Sequence, residues 1–250
     1  MFNPNENETE PLPSSGGTSF GPLIAAHSFL VSSKRAGGAR YAGGSEFSAA
    51  FACLVEWAQT NALIRQATEF PFLEREPDGD GDEHEAWYDE KVGLWYKATY
   101  PNQFGLSWVR DGSACALEYL QRLVFQNDYF GDSIHLEAVV QVGDRIRVLT
   151  SQPHIQGEAA TPEEIQNWFL SLGFQRVEMG ERIAWYHLEL NLLVADAHEG
   201  NVLRSETGKL FPIDLNIMRP EGEALTEIRQ HIQVEPDWDE EAWLKAWGNP

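Results

Sequence analysis

The chain has 250 residues, with 18 Lys and Arg against 39 Asp and Glu and a formal charge of −21. That balance excludes a duplex nucleic-acid binder, which needs a basic surface to displace counterions, and it excludes docking on an anionic membrane surface. A hydrophobic content of 42% supports a packed core, and the length fits one large domain or two small ones.

Cys53 and Cys115 form no CxxC, so a disulfide scaffold and a zinc ribbon are excluded, and a reducing compartment is expected. No apolar run approaches the ~20 residues that span a bilayer. The first residues carry neither a basic nor an apolar leader segment, so a cytoplasmic location is expected.

Residues 1–20 are rich in Asn, Glu, Pro, Ser and Gly, and residues 1–44 are expected to form a disordered or loosely packed arm. Phe47, Phe51, Leu54, Val55, Ala58 and Ala62 then recur at helical spacing, with Ser45 as the cap, so residues 45–66 are expected to be a bracing helix. FPFLEREP reads as a strand and DGDGDEHE as an acidic loop. AWYDEKVGLWYKATY reads as two strands turning near Asp89–Gly93. The segment Ser113–Asn127 is an amphipathic helix capped by Ser113. HLEAVVQVGDRIRVLTSQ is a hairpin turning at Gly143–Asp144. TPEEIQNWFLSLGF is a helix with a capping box from Thr161 to Glu164 and a stop at Gly173. IAWYHLELNLLVAD and KLFPIDLNIM are apolar, strand-like runs around the polar loop AHEGNVLRSETG. LTEIRQHI and DEEAWLKAW are short helices. The order is α+β, in two lobes.

The chemistry concentrates in Asp196-Ala-His198-Glu-Gly200-Asn201 and, beyond Gly208, in Asp214. Phosphoryl transfer needs a carboxylate to orient or deprotonate the attacking hydroxyl, an Asn to hold a metal on the phosphates, and a second carboxylate to clamp Mg²⁺. Asp196, Asn201 and Asp214 fit these three roles, although each residue alone reads equally well as part of a polar surface loop.

The string D-x-H-x-G-N-V-L followed by G-x-L-x-P-I-D is similar to the catalytic segment of the protein-kinase-like superfamily, a form shared by aminoglycoside and choline phosphotransferases. More of the chain resembles the serine/threonine/tyrosine kinases found in polyvalent proteins of bacteria and their mobile elements. LVEWAQTNALI, DEHEAWYDEKVGLWYKATYPNQFG, LEYLQRLVFQNDYFGD, LTSQPHIQG and AWYHLELNLLVADAHEGNVL carry that likeness. The resemblance implies a two-lobed fold. Its N-lobe, residues 67–150, is a small antiparallel sheet, the linker is 151–153, and its C-lobe, 154–250, is reduced and mostly helical. It implies ATP between the lobes with Mg on Asn201 and Asp214, and a hydroxyl acceptor facing Asp196. Lys97 would contact the α/β-phosphates and pair with Glu118. Gln152 would sit at the linker beside adenine, His84 would donate to a phosphate, and His198 would be a further cofactor-side group.

Several residues depart from the kinase pattern. Val194 stands where a His usually precedes the catalytic Asp, and Leu215-Asn216 follows Asp214 in place of Phe-Gly. The few residues after Asp214 predict a minimal substrate platform without a regulated activation loop. Two rival readings follow: a catalytically weak or inactive nucleotide-binding or interaction module, and an acidic Ca²⁺ domain without nucleotide. For the latter, Asp78, Asp80 and Asp82 match the first EF-hand ligand positions. Glu83 replaces the required Gly and Asp89 the closing Glu, which favours a plain solvated turn. Most tryptophans read as core. The net charge favours a cationic acceptor over an anionic one.

Overall fold

The computed structural model describes residues 21–36, 46–105, 107, 113–179 and 182–232. They fall into two compact units that divide between His154 and Ile155. Among the described residues no helix is long and apolar enough to cross a membrane. The expected cap at Ser45, the DEEAWLKAW helix, the tail 1–20, and Trp108, Trp238, Trp243 and Trp247 lie outside them.

In the N-terminal unit, α1 (Pro22–Arg35) and α2 (Glu46–Thr60) bury residues at three- and four-residue steps: Leu23, Ala26 and Leu30 on α1, and Ala50, Cys53, Leu54, Trp57 and Ala58 on α2. Helix α1 lies in the stretch expected to be a loose arm. Pro22 starts it, and its apolar stripe belongs to the same core cluster as α2. The strand expected at FPFLEREP is absent. The alternating Phe70 and Phe72 mimic a strand, but Ala67–Glu69 and Pro71–Glu74 are two 3-10 turns.

Six strands make one sheet: β1 (Ile64–Gln66), β2 (Gly79–Asp80), β3 (His84–Asp89), β4 (Leu94–Thr99), β5 (His135–Val142) and β6 (Arg145–Pro153). Their order is β1-β5-β6-β4-β3-β2. All neighbours are antiparallel except β1 and β5. The helix α3 (Ala116–Phe130) falls between β4 and β5. Its N-cap is Cys115 rather than Ser113, because Glu118 closes a capping box there.

Strand alternation buries the sheet on both faces. Val139 and Val148 belong to the core cluster that includes residues of the three helices. Ala138, Val140 and Leu149 point the other way, toward Trp87, Phe70, Phe72 and Leu73. Burying each large side chain in these layers contributes about 1.5–3 kcal/mol. The residues expected to form the linker, 151–153, lie at the end of β6, where β4 still pairs with them through Leu94↔Pro153.

In the C-terminal unit, β7 (Glu158–Ala159) precedes α4 (Pro162–Ser171), whose Thr161–Glu164 capping box is present. Then follow β8 (Gln175–Met179), β9 (Arg182–His187), β10 (Leu192–Ala195), β11 (Val202–Arg204), β12 (Leu210–Pro212), β13 (Asn216–Met218) and α5 (Gly222–Gln230). One antiparallel sheet runs β13-β10-β9-β8, and a second runs β12-β11-β7. Phe169 of α4 stacks on Trp185 of β9, with centroids 5.1 Å apart, at the centre of the buried side.

The expectation of a mostly helical C-terminal lobe is therefore corrected. Its described residues hold more strand than helix, in an α+β arrangement. The run IAWYHLELNLLVAD is a hairpin, β9 and β10, that reverses at Leu188–Asn191 with Asn191 left-handed at φ 48. Strand β8 was hidden by its charges. Arg176 is buried, bonded to Gln166 at 3.2 Å and paired with Glu178 at 2.8 Å.

Candidate active site

Two strand pairings in the C-terminal unit converge on one place. The β10–β13 register matches Ala195 with Asn216, so the chain leaving β10 at Asp196 runs beside the chain entering β13 through Asp214. The β11–β12 register matches Val202 with Pro212, and the Ile213 amide donates to the Asn201 carbonyl at 2.9 Å. Asp196, Asn201 and Asp214 are thus brought to the same end of the sheet by backbone pairing.

Asp196 departs from its strand with φ 63, a left-handed conformation that costs a non-glycine residue energy and that Asp tolerates better than most. Asn201 Nδ2 donates both to the Asp196 carbonyl, at 2.9 Å, and to Oδ2, at 3.1 Å. One amide therefore ties down the backbone and the carboxylate of the strained residue. With Nδ2 so engaged, Oδ1 is the remaining polar atom of the Asn201 side chain.

His198 is engaged at both ring nitrogens. Its Nδ1 accepts from the Gly200 amide at 3.0 Å, which leaves Nε2 to face Asp196 Oδ1 at 3.5 Å. The hydrogen bond to Asp196 raises its pKa above 6.5. Burial works the other way, and the charges of Asp196, Glu199 and Asp214 add to the rise. A Cβ on Gly200 would lie 2.8 Å from His198 Cε1, so glycine leaves the ring its place.

Divalent Mg takes oxygen donors and keeps water or phosphate oxygens in its shell. Asn201 Oδ1 and the Asp214 carboxylate are oxygen donors of that kind. Among the described residues no three His, Cys, Asp or Glu side chains gather into a cage of their own. Val194 is buried in β10 as an ordinary core residue.

The remaining expected residues lie in the N-terminal unit. Lys97 is on β4, opposite Thr150 of β6. Glu118 is in the first turn of α3, where its Oε2 accepts the Cys115 amide at 2.8 Å. Gln152 is buried at the end of β6, and its Nε2 donates to Asp132 at 2.6 Å. His84 is the residue expected to donate to a phosphate. It is 8% exposed, with Nε2 at 3.0 Å from the Tyr119 hydroxyl, so it joins β3 to α3.

The acidic segment Asp78–Glu85 is a tight hairpin turn, since β2 pairs with β3. Asp78 accepts the Tyr88 amide at 2.8 Å. Glu83 makes a two-pronged ion pair with Arg122 of α3. Glu85 reaches Arg147 at 2.5 Å, and the Arg147 guanidinium also donates to the Thr99 and Ala98 carbonyls and lies over the Trp87 ring. Sequence reading missed Asp132, Arg122 and Arg147. Only Asp132 left a trace, as the polar residue after the Gly131 helix stop.

A family model described as serine/threonine/tyrosine kinase found in polyvalent proteins matches residues 53–219. No curated protein matches the chain, and no solved structure matches it.

Proposed function

The chain belongs to the serine/threonine/tyrosine kinases found in polyvalent proteins, and from that membership we propose an ATP- and Mg-dependent transfer of the γ-phosphoryl group to a hydroxyl acceptor. The observation that carries the reading is the tie of Asn201 to Asp196 beside the segment bearing Asp214.

Asp196 orients the acceptor hydroxyl and takes its proton as the oxygen attacks. The new bond forms between that oxygen and the γ-phosphorus, the β–γ bridging P–O bond breaks, and ADP leaves. The left-handed turn presents the carboxylate outward, about half exposed, where a hydroxyl can reach it. Asn201 and Asp214 would hold Mg²⁺, which would supply charge neutralisation on the phosphates. Lys97 we assign to the α/β-phosphates, as a compact point charge. His198 restrains the Asp196 carboxylate through Oδ1 while Asn201 restrains it through Oδ2. The charge of −21 favours a cationic acceptor and makes nucleotide affinity depend on divalent metal.

The test is nucleotide hydrolysis and phosphoryl transfer by wild type, Asp196→Asn and Asp214→Asn with and without Mg²⁺. Asp196→Asn should lose about 10²–10⁴ in kcat, the range of a lost general base. Transfer that survives Asp196→Asn undiminished would sink the assignment.

A further inference from the structure

A patch of aromatic rings, partly open to solvent, lies on the same sheet face as Lys97. Residues two apart on a strand share a face, so Trp95 stands with Lys97 on β4. Trp95 is matched with Tyr88 of β3 on one side and with Gln152 of β6 on the other. The Tyr88 and Trp95 rings have centroids 5.2 Å apart, and Tyr88 lies 4.9 Å from the His154 ring. The Trp95 indole N–H donates to His154 Nδ1 at 3.0 Å. Trp95 and Tyr88 are half-buried and His154 is exposed.

The surroundings limit what this patch can bind and how. Toward the other end of β4 the face is closed, because His84, matched with Thr99, is buried against Tyr119 of α3. A nucleotide whose phosphates meet Lys97 therefore has its base on the Trp95 side. The amides at this end of β6 are committed to the sheet. The His154 amide donates to the Gly93 carbonyl at 2.9 Å, and Pro153 has no N–H. Bonded pairs alternate along an antiparallel ladder, so Gln152 and Trp95, two residues further in, again bond to each other. The Gln152 side-chain amide is engaged by Asp132, and the indole N–H by His154.

We propose that Trp95, backed by Tyr88 and held by His154, is the platform on which the nucleobase stacks. The base is read by its π-face and not by hydrogen bonds, so ATP and GTP are accepted alike. This rests on the reading that Lys97 meets the phosphates of the nucleotide. Every base has a π-face, so a stack holds either purine about equally well. A site that hydrogen-bonds its base discriminates far more strongly, because the wrong base leaves polar groups unpaired.

Calorimetric titration of the full chain with ATP, GTP and ribose 5-triphosphate, each with Mg²⁺, tests this. ATP and GTP should bind within about threefold of each other, and removing the base should weaken binding about 5- to 100-fold, the scale of one base–aromatic stack. Trp95→Ala should weaken ATP and GTP by that same factor and leave ribose 5-triphosphate unchanged. Trp95→Phe, which keeps a ring, should restore most of the loss. A preference for ATP over GTP above about tenfold overturns the proposal, since it requires hydrogen bonds to the base. So does a Trp95→Ala protein that binds both nucleotides as wild type does. If Trp95→Ala fails to fold, the three wild-type affinities decide alone, and ribose 5-triphosphate bound as tightly as ATP overturns the proposal. Wild type that binds none of the three strikes the phosphotransferase reading together with this one. Wild type that binds all three but strongly prefers ATP strikes this one alone.

Discussion

Two sets of charged side chains, one in each unit, are handled in opposite ways. In the N-terminal unit, Glu83, Glu85, Arg122 and Arg147 are largely buried and interlocked, with Arg147 alone bonded to a carboxylate and two carbonyls. In the C-terminal unit, the Asp196 carboxylate is about half exposed, held by one amide and one ring nitrogen on a left-handed backbone. The first arrangement fixes the sheet to α3 and to itself. The second leaves a carboxylate available at the cost of local strain, the pattern expected where chemistry rather than stability sets the residue.

Opposite responses to mutation should follow. Arg147→Met removes the cation from Glu85 and the donor from two buried carbonyls. It should cost about 3–5 kcal/mol in denaturant unfolding, as breaking a buried pair does. A cost under about 1 kcal/mol would place this network with ordinary surface pairs. Gly157→Ala puts a Cβ 2.7 Å from the Arg204 carbonyl and should loosen the β7–β11 pairing by about 1–3 kcal/mol in the same assay.

Asp196→Gly should reverse the sign. Relief of the left-handed backbone should leave the melting temperature unchanged or raise stability by up to about 1 kcal/mol, while phosphoryl transfer is lost. A large destabilisation would show Asp196 to be a structural residue and erase the contrast between the units. The smallest effect is electrostatic. The His198 pKa lies above 6.5, so its contribution is fully present below the unfolded value and is lost as pH rises through the folded one. NMR titration of the His198 ring should move to lower pH in Asp196→Asn. An unmoved ring would mean that Asp196 does not set its charge.

Local pattern made much of this legible in the sequence. Helix α4 announced its own cap, the hairpins announced their glycine turns, and D-x-H-x-G-N compresses Asp196 and Asn201 into one turn. What stayed hidden was long-range. Lys97 and Gln152 share a face only through strand register, and Arg147 reads as a surface residue until its partners on β3 and β4 are in place. The alternating phenylalanines before Glu74 and the charges of β8 misled for one reason: burial is decided by the neighbour, and the neighbour is distant in sequence. The contact of His84 with Tyr119 was hidden likewise, because the two lie 35 residues apart.

The short parallel strand β1 has a consequence for how the protein can be cut. It pairs Ile64, Arg65 and Gln66 with Val139, Val140 and Gln141, covering the outer edge of β5. A chain begun at residue 67, the start expected for the N-lobe from sequence, would leave β5 as a bare edge carrying Leu136, Val139 and Val140. Unpaired edges of that composition recruit other strands. Such a fragment should self-associate through β5, whereas one that retains Ile64–Gln66 ends that side of the sheet in a strand of three residues.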